Sequence, residues 1–423
     1  MSRIDELIEE LCPDGVPSVT LGSFVEEKTS RAGTQTELPV FGISNSLGFV
    51  ASEDLFSASR ASADRANYKV VKSENFAYNP SRINVGSIAM NNQDRDVIVS
   101  PMYVVFSITN GLHPKFFEFF VRSSLFKSQV LSNVEVGARF RFTFETLARV
   151  LIQVPPLAVQ REIVSILDKF TELEAELEAE LEARRIQYEV TRDRLLDFSD
   201  DLAGHAPEQR IPNLRPSGIE SFELSELGEL FSGLSGKSKG DFSDGNSPFV
   251  SYLDIGNNSS LPRGIKTKVR VGPQERQNEV RQGDLLFTGS SEDREGVGLT
   301  AEVEYSPSEP TYLNSFCFGF RPKEGVFAMG YLKHLFRSTT VRTKVKACSN
   351  GVTRINISKK SLVKIEIPVP PLEVQANIAL ILDKLDALVN DITIGLPAEI
   401  AARRKQYVYY RSKLLTFKEL EAA

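Results

Sequence analysis

The chain predicts an α+β fold: two strand-rich domains joined by two long antiparallel helices that pair as a coiled coil, an internal pseudo-two-fold repeat. Three observations predict it. A long segment occurs twice: Pro155 to Phe198 begins PPLAVQREIVSILDKF and ends ARRIQYEVTRDRLLDF, and Pro370 to Phe417 begins PPLEVQANIALILDKL and ends ARRKQYVYYRSKLLTF. The offset is 215 over the first half of the segment, where Gln160 recurs as Gln375, and 219 over the second, where Tyr188 recurs as Tyr407. The repeat also reaches into what precedes each copy. Pro13 to Leu21 matches Pro216 to Leu224 at an offset of 203, Phe116 to Val130 matches Tyr331 to Val345 at 215, and Gly137 to Leu147 matches Gly351 to Leu362 with Arg139 falling on Arg354.

The order is therefore domain, strut, domain, strut. The boundaries read as 1–154 for the first domain, 155–199 for its helix, 200–217 for a linker, 218–369 for the second domain and 370–423 for the second helix. The linker is polar, rich in proline and without periodicity. Double prolines at 155–156 and 370–371 stop helix from running backwards into the domains. Ile163, Ile166, Phe170, Leu173 and Leu177 step 3-4-3-4, as do Ile378, Ile381, Leu385, Leu388 and Ile392, which is a coiled-coil seam. Three tandem ELEA tetrads from Glu172 to Ala183 then place leucines four apart, a stutter that locally unwinds the pair. About 43 residues at 1.5 Å each make a strut of roughly 65 Å. In the second strut Gly395-Leu396-Pro397 interrupts the helix, and Pro397 opens a new one expected to run to about Glu419. The first strut carries the chain to the second domain and the second must return along it. That order predicts a domain at each end, roughly 50–60 Å apart, a symmetry suited to DNA read at two half-sites.

Short β-branched and aromatic runs between turn residues predict the strands: 38–43, 67–71, 87–90 and 102–108 in the first domain, and 249–253, 284–288 and 316–320 in the second. One amphipathic helix is expected in each, over 113–131 and 328–347. The segment 137–141 is expected to set Arg139 and Arg141 on one strand face.

At 423 residues the chain can hold two cores. Cys12, Cys317 and Cys348 are far apart, which argues for a reducing compartment. The acidic, amphipathic Met1 to Leu11 does not read as a signal peptide, and no apolar run is long enough to span a bilayer; a cytoplasmic protein without membrane contact is expected. The net charge of −6 is unevenly spread. Lys and Arg exceed Asp and Glu by 14 to 12 over residues 18–154 and by 20 to 17 over 221–369, whereas residues 157–199 hold 6 against 11. Both domains are mildly basic and the acid sits on the first strut.

Catalytic motifs are missing. The three histidines, His113, His205 and His334, form no HExxH, and no Walker loop or GxSxG set occurs. Asn79-Pro80-Ser81-Arg82 resembles the Asn-Pro-Pro-aromatic motif of amino-methyltransferases but lacks its second proline and aromatic. Phe287-Thr288-Gly289 is too short for a nucleotide fingerprint. No metal site and no catalytic residue is expected.

The repeated segments resemble those of the specificity subunit of type I restriction–modification enzymes. The signature is Pro-Pro-Leu-x-x-Gln at 155–160 and 370–375, Ile-Leu-Asp-Lys at 166–169 and 381–384, Arg-Arg-x-Gln-Tyr at 184–188 and 403–407, and Leu-Leu-x-Phe at 195–198 and 414–417. The ELEA tetrads are similar to the repeats whose number sets the gap between half-sites in that family. The resemblance implies two target-recognition domains on conserved spacer helices. It implies double-stranded DNA, two modification subunits and restriction/translocase subunits as partners. S-adenosylmethionine, ATP and Mg would then belong to those partners and not to this chain. A scaffold of two protein-interaction domains on a coiled coil, without DNA contact, is the alternative; an enzyme fused to a coiled coil is disfavoured by the missing motifs.

Base readout needs Arg, Lys, Asn or Gln on loops, with further cations on phosphate. In the first domain the candidates are Asn79, Arg82, Asn84, Arg95, Arg139 and Arg141. In the second they are Ser290, Arg294, Asn350, Thr353 and Arg354, with Lys237 and Lys239 for phosphates. Arg139 and Arg354, being equivalent, also fit a scaffold or phosphate role. Gln160, Asp168, Lys169, Gln375, Asp383 and Lys384 recur at fixed helical spacing, which suits strut pairing or partner docking. Tyr188 and Tyr407 fall on the apolar phase and read as core.

Overall fold

A computed structural model describes residues 3–34, 37–45, 47–51, 65–109, 111–133, 141–198, 218–391 and 393–420. The chain divides into two compact units, Met1–Leu177 with Ile400–Ala423 and Glu178–Glu399. The first unit thus takes in most of the last helix of the chain. The linker 200–217 lies outside the described residues.

The first unit is built on a four-stranded antiparallel sheet in the order Val25–Glu27, Val104–Ile108, Phe76–Tyr78, Ile88–Met90. Alternation along its strands feeds two cores, because successive side chains leave a strand on opposite faces. Phe76, Tyr78 and Phe106 join the helices and the strut in one core, while Ala77 and Val105 meet Phe41, Val71 and Val97 in another. Phe76 and Phe106 stack at 5.4 Å. A separate ribbon pairs Ser18–Thr20 with Leu151–Gln153 at the foot of the strut.

The second unit repeats this plan. Its sheet runs Gly228–Ser232, Cys317–Pro322, Leu285–Thr288, Thr300–Glu302, again antiparallel. Leu285, Phe287 and Phe318 face the strut core, and Leu286, Ala301 and Val303 the opposite one. The ribbon Ser221–Glu223 with Glu366–Pro368 has the same register as its counterpart. Ser221 stands where Ser18 does and Glu366 where Leu151 does, which reproduces the offsets of 203 and 215 seen in the sequence.

The helix expected over 113–131 is two, Pro114–Val121 and Ser124–Ser132, and the one over 328–347 is also two, Tyr331–Leu335 and Thr339–Ala347. The breaks fall at Ser123 and Ser338, equivalent positions in the two copies. Each hydroxyl donates to the carbonyl three residues back at 2.6 Å and accepts from the amide three ahead, so it ends one helix and caps the next. The strand expected over 249–253 stops at Val250, because Ser251 caps a short helix Tyr252–Gly256.

The first strut is one helix, Leu157–Leu196. Within the first unit it packs against the last helix, Leu396–Leu414, which ends before the expected Glu419. Phe170 meets Tyr407 at 6.5 Å and Tyr410 at 5.5 Å, and Glu174 binds Arg404 at 2.6 Å. One number rises as the other falls, so this pair is antiparallel. Beyond the helix Phe417 and Val16 bond to Gln153. The expected seam is deep only near the domains. Ile163 and Ile378 are fully buried, but Leu173 and Leu388 are 47% and 37% exposed. The half-buried neighbour of Leu173 is Glu174, held by its arginine. The second strut breaks after Asn390, five residues before the expected Gly395, and the new helix opens at Leu396 with Pro397 in its first turn as expected. A Cβ on Gly395 would stand 2.5 Å from the Ala387 carbonyl, so only glycine closes the connection.

Candidate nucleic-acid interface

In both units the chain leaves the third sheet strand into a loop, and an equivalent downstream segment grips that loop. The Phe142 amide donates to the Pro80 carbonyl at 2.9 Å, and the Ile357 amide to the Gly289 carbonyl at 3.0 Å. Counting along each ladder from the last pair, Met102 falls opposite Pro80 and Phe316 opposite Gly289. Both are large, apolar and exposed, at 61% and 54%. Each mouth thus has the same backbone frame and different side chains.

In the first unit Asn79 is buried and turns the loop: its Oδ1 accepts from the Ser81 amide at 3.0 Å and its Nδ2 lies 3.9 Å from Met102 Sδ. Arg82 is exposed and pairs with nothing among the described residues; Asn84 is half-buried. Arg95 is exposed, on a turn whose carbonyl Asn91 holds. Arg141 is exposed beside the buried Phe142. Arg139 and the strand expected around it lie outside the described residues, and Arg141 itself is not in a strand.

In the second unit Ser290–Ser291, Ile355–Ile357 and Ser349–Asn350 form a three-stranded sheet, so Ser290, Asn350, Thr353 and Arg354 converge. The Arg354 guanidinium lies over the Phe316 ring at 4.4 Å, and its Nε donates to Ser290 Oγ at 2.8 Å. Asn350, Thr353 and Arg294 are exposed. Gly351, at φ +114°, could not carry a Cβ without striking the Arg354 carbonyl. Of the two phosphate candidates, Lys237 is already paired with Glu275, whose carboxyl is held down to about 2 by that hydrogen bond first and by Gln277 second. Lys239 is exposed and without a partner among the described residues.

The recurrent strut residues divide into two kinds. Gln160 is fully buried; it accepts from the His113 amide at 2.8 Å and donates to the carbonyls of Gly111 at 2.9 Å and Pro155 at 2.7 Å. Gln375 makes the same three bonds to Ala328, Val326 and Pro370 at 2.9, 3.1 and 2.7 Å. Both therefore fasten a strut to its own domain and are closed to a partner. Asp168 takes Lys115 at 2.9 Å. Asp383 takes His334 Nε2 at 2.8 Å and Lys333 at 2.7 Å. Burial alone would raise the Asp383 carboxyl, yet these two donors hold it below its ordinary value. Lys169 and Lys384 alone among the six point outward. Tyr188 is core, bonded to His334 at 3.1 Å, whereas Tyr407 is half-buried on Phe170.

Sequence reasoning missed Phe316 as part of the site. It stands in phase with the buried Phe318 and Phe320 and reads as the first strand residue. Its place one step beyond the ladder is what exposes it. Among the described residues no cluster of His, Cys, Asp and Glu could hold a metal ion, and no helix is long and apolar enough to cross a membrane.

A family model, the type I restriction modification DNA specificity domain, matches residues 27–183 and 216–402. Over 269 residues the chain is 33% identical to the specificity subunit of the type I restriction enzymes EcoR124I/EcoR124II of Escherichia coli, covering 63% of this chain and 61% of that protein. It is 29% identical over 287 residues to a putative type I restriction enzyme specificity subunit, S.HindORF215P, of Haemophilus influenzae, covering 66% and 67%. The chain thus spans about three fifths of the length of the first of these relatives. A structure solved for complex assembly and conformational transition of the type I R-M system superposes with a TM-score of 0.60 at 20% identity, over 95% of this chain and 97% of that one. The HsdS subunit from Thermoanaerobacter tengcongensis gives 0.50 at 19% identity, over 96% and 99%. At these identities the likeness is one of fold.

Proposed function

We infer that this chain, which belongs to the type I restriction–modification DNA specificity family, selects the DNA sequence on which a methyltransferase and endonuclease complex acts. As a specificity subunit it is a non-catalytic component of such a system. It reads a two-part asymmetric target in double-stranded DNA, one half-site per unit, and the strut sets the unspecified gap. Two modification subunits, which carry S-adenosylmethionine, dock on the strut helices, with Lys169 and Lys384 as outward contacts. Restriction subunits supply ATP- and Mg-dependent translocation and cutting.

What carries this reading is the repeated mouth: one backbone frame whose side chains differ where Pro80 faces Met102 in one copy and Gly289 faces Phe316 in the other, and where Phe142 is replaced by Ile357. A frame used twice with the same side chains would fit a palindrome; different side chains fit an asymmetric site. Arg82, Asn84, Arg95 and Arg141 serve the first half-site, and Ser290, Arg294, Asn350, Thr353 and Arg354 the second, with Lys239 on phosphate. Asn79 acts by shaping its loop and Lys237 by fixing Glu275. The test is the methylome of a host expressing the chain with its modification partner. Adenine methylation at a bipartite asymmetric motif is expected, and a methylome without one refutes the reading. A protein-binding scaffold would moreover show no salt-dependent affinity for duplex DNA with its partners present.

A further inference from the structure

We propose that Arg354 reads a guanine in the second half-site, with Phe316 as the shelf beneath its guanidinium and Ser290 as the positioning residue that sets its plane. This rests on the DNA-reading function above and names the base.

An arginine on a loop samples many rotamers, and freezing them costs affinity. Arg354 is exposed but held at two points. Its guanidinium lies on the Phe316 ring at 4.4 Å and its Nε is held by Ser290 Oγ at 2.8 Å. The shelf is fixed in turn. The Phe316 amide donates to Asn314 Oδ1 at 2.9 Å, and the Phe316 carbonyl accepts from the Gly289 amide at 2.9 Å. A Cβ at Gly289 would stand 2.7 Å from that carbonyl, so the close approach needs glycine. With Nε occupied, the two terminal nitrogens remain, and they make no hydrogen bond or ion pair among the described residues. That edge presents two parallel donors. In the major groove the matching pair of acceptors is O6 and N7 of guanine. Adenine offers a donor where guanine offers O6, so an arginine fixed in this plane discriminates between the purines.

A scaffold role would use the terminal nitrogens inside the protein. A phosphate contact carries no sequence information, so its loss weakens every site alike and leaves the motif unchanged. The decisive variant is therefore Arg354→Lys, which keeps charge and loses the planar pair. The whole chain is expressed with its modification partner and the methylome is read, alongside Arg354→Gln and Ser290→Ala. Arg354→Lys and Arg354→Gln are expected to lose discrimination at one G·C position of one half-site, roughly ten- to hundred-fold, and to leave the other half-site unchanged. Ser290→Ala is expected to keep the motif and weaken preference at that same position. An Arg354→Lys methylome with the wild-type motif, or uniformly weaker methylation without a change of motif, overturns the inference. A wild-type methylome without any bipartite motif overturns the DNA-reading function itself, and the inference with it.

Discussion

At the residue scale, polar side chains in a single loop do opposite work depending on which way the loop turns. Asn79 and Arg82 stand three apart, yet one carboxamide folds the loop and the other side chain faces solvent. Sequence supplies the loop and the polar inventory; only the packing around Tyr78 and Phe142 decides which member points outward. The buried glutamines show the reverse, since recurrence singles them out and burial alone explains why. Replacing Gln160 or Gln375 by alanine strands one amide and two carbonyls in a dry site. A loss of about 2–4 kcal/mol is expected on chemical denaturation, against less than about 1 kcal/mol for an exposed glutamine. Glu302 gives a pH signature. Burial raises its carboxyl to about 7, above the ordinary 4.5, although the amides of Gly330 and Lys333 bond to it. Between those values the folded chain holds a proton that the unfolded chain has released. Its contribution is therefore full below the unfolded value and is lost as pH rises through about 7. Unfolding free energy should fall by a few kcal/mol over that window, and Glu302→Gln should flatten the fall. A variant that keeps the wild-type slope would assign it to another group.

At the element scale, the repeat is legible because it is written in backbone pairing. Offsets of 203 and 215 in the sequence are the offsets of the ribbon strands, whose register depends on length and alternation and not on particular side chains. The helices broken at Ser123 and Ser338 read as single in the sequence because a serine inside an amphipathic run keeps the apolar phase; only the hydroxyl's two bonds show that the run stops and restarts. The strut seam fails at Leu173, where a tetrad stutter turns glutamate inward to meet Arg404. The ELEA tetrads carry their own expectation. Deleting Glu176 to Ala179 shortens a helix by about 6 Å and rotates the downstream end by about 40°. The gap in the methylated motif should contract by one or two base pairs while both half-sites persist, and an altered half-site would rule out a spacing role.

At the scale of the whole molecule, net charge conceals the function, because an acidic strut cancels the excess of two mildly basic domains. Long-range affinity should nonetheless follow the basic side chains that stand alone. Within the assembled complex, Lys239→Gln should lower affinity for every duplex alike and reduce the salt slope by about one. A changed motif would move Lys239 to base readout. The glutamine latches have a wider consequence. They grip Gly111 and His113 in one copy and Val326 and Ala328 in the other, yet the bonds are the same, since every one of them goes to main chain. A socket that ignores side-chain identity accepts any loop of the right length. Heads from unrelated chains should graft onto these struts as interchangeable cassettes, so new targets can arise by exchange of whole blocks and need no stepwise redesign of the hinge.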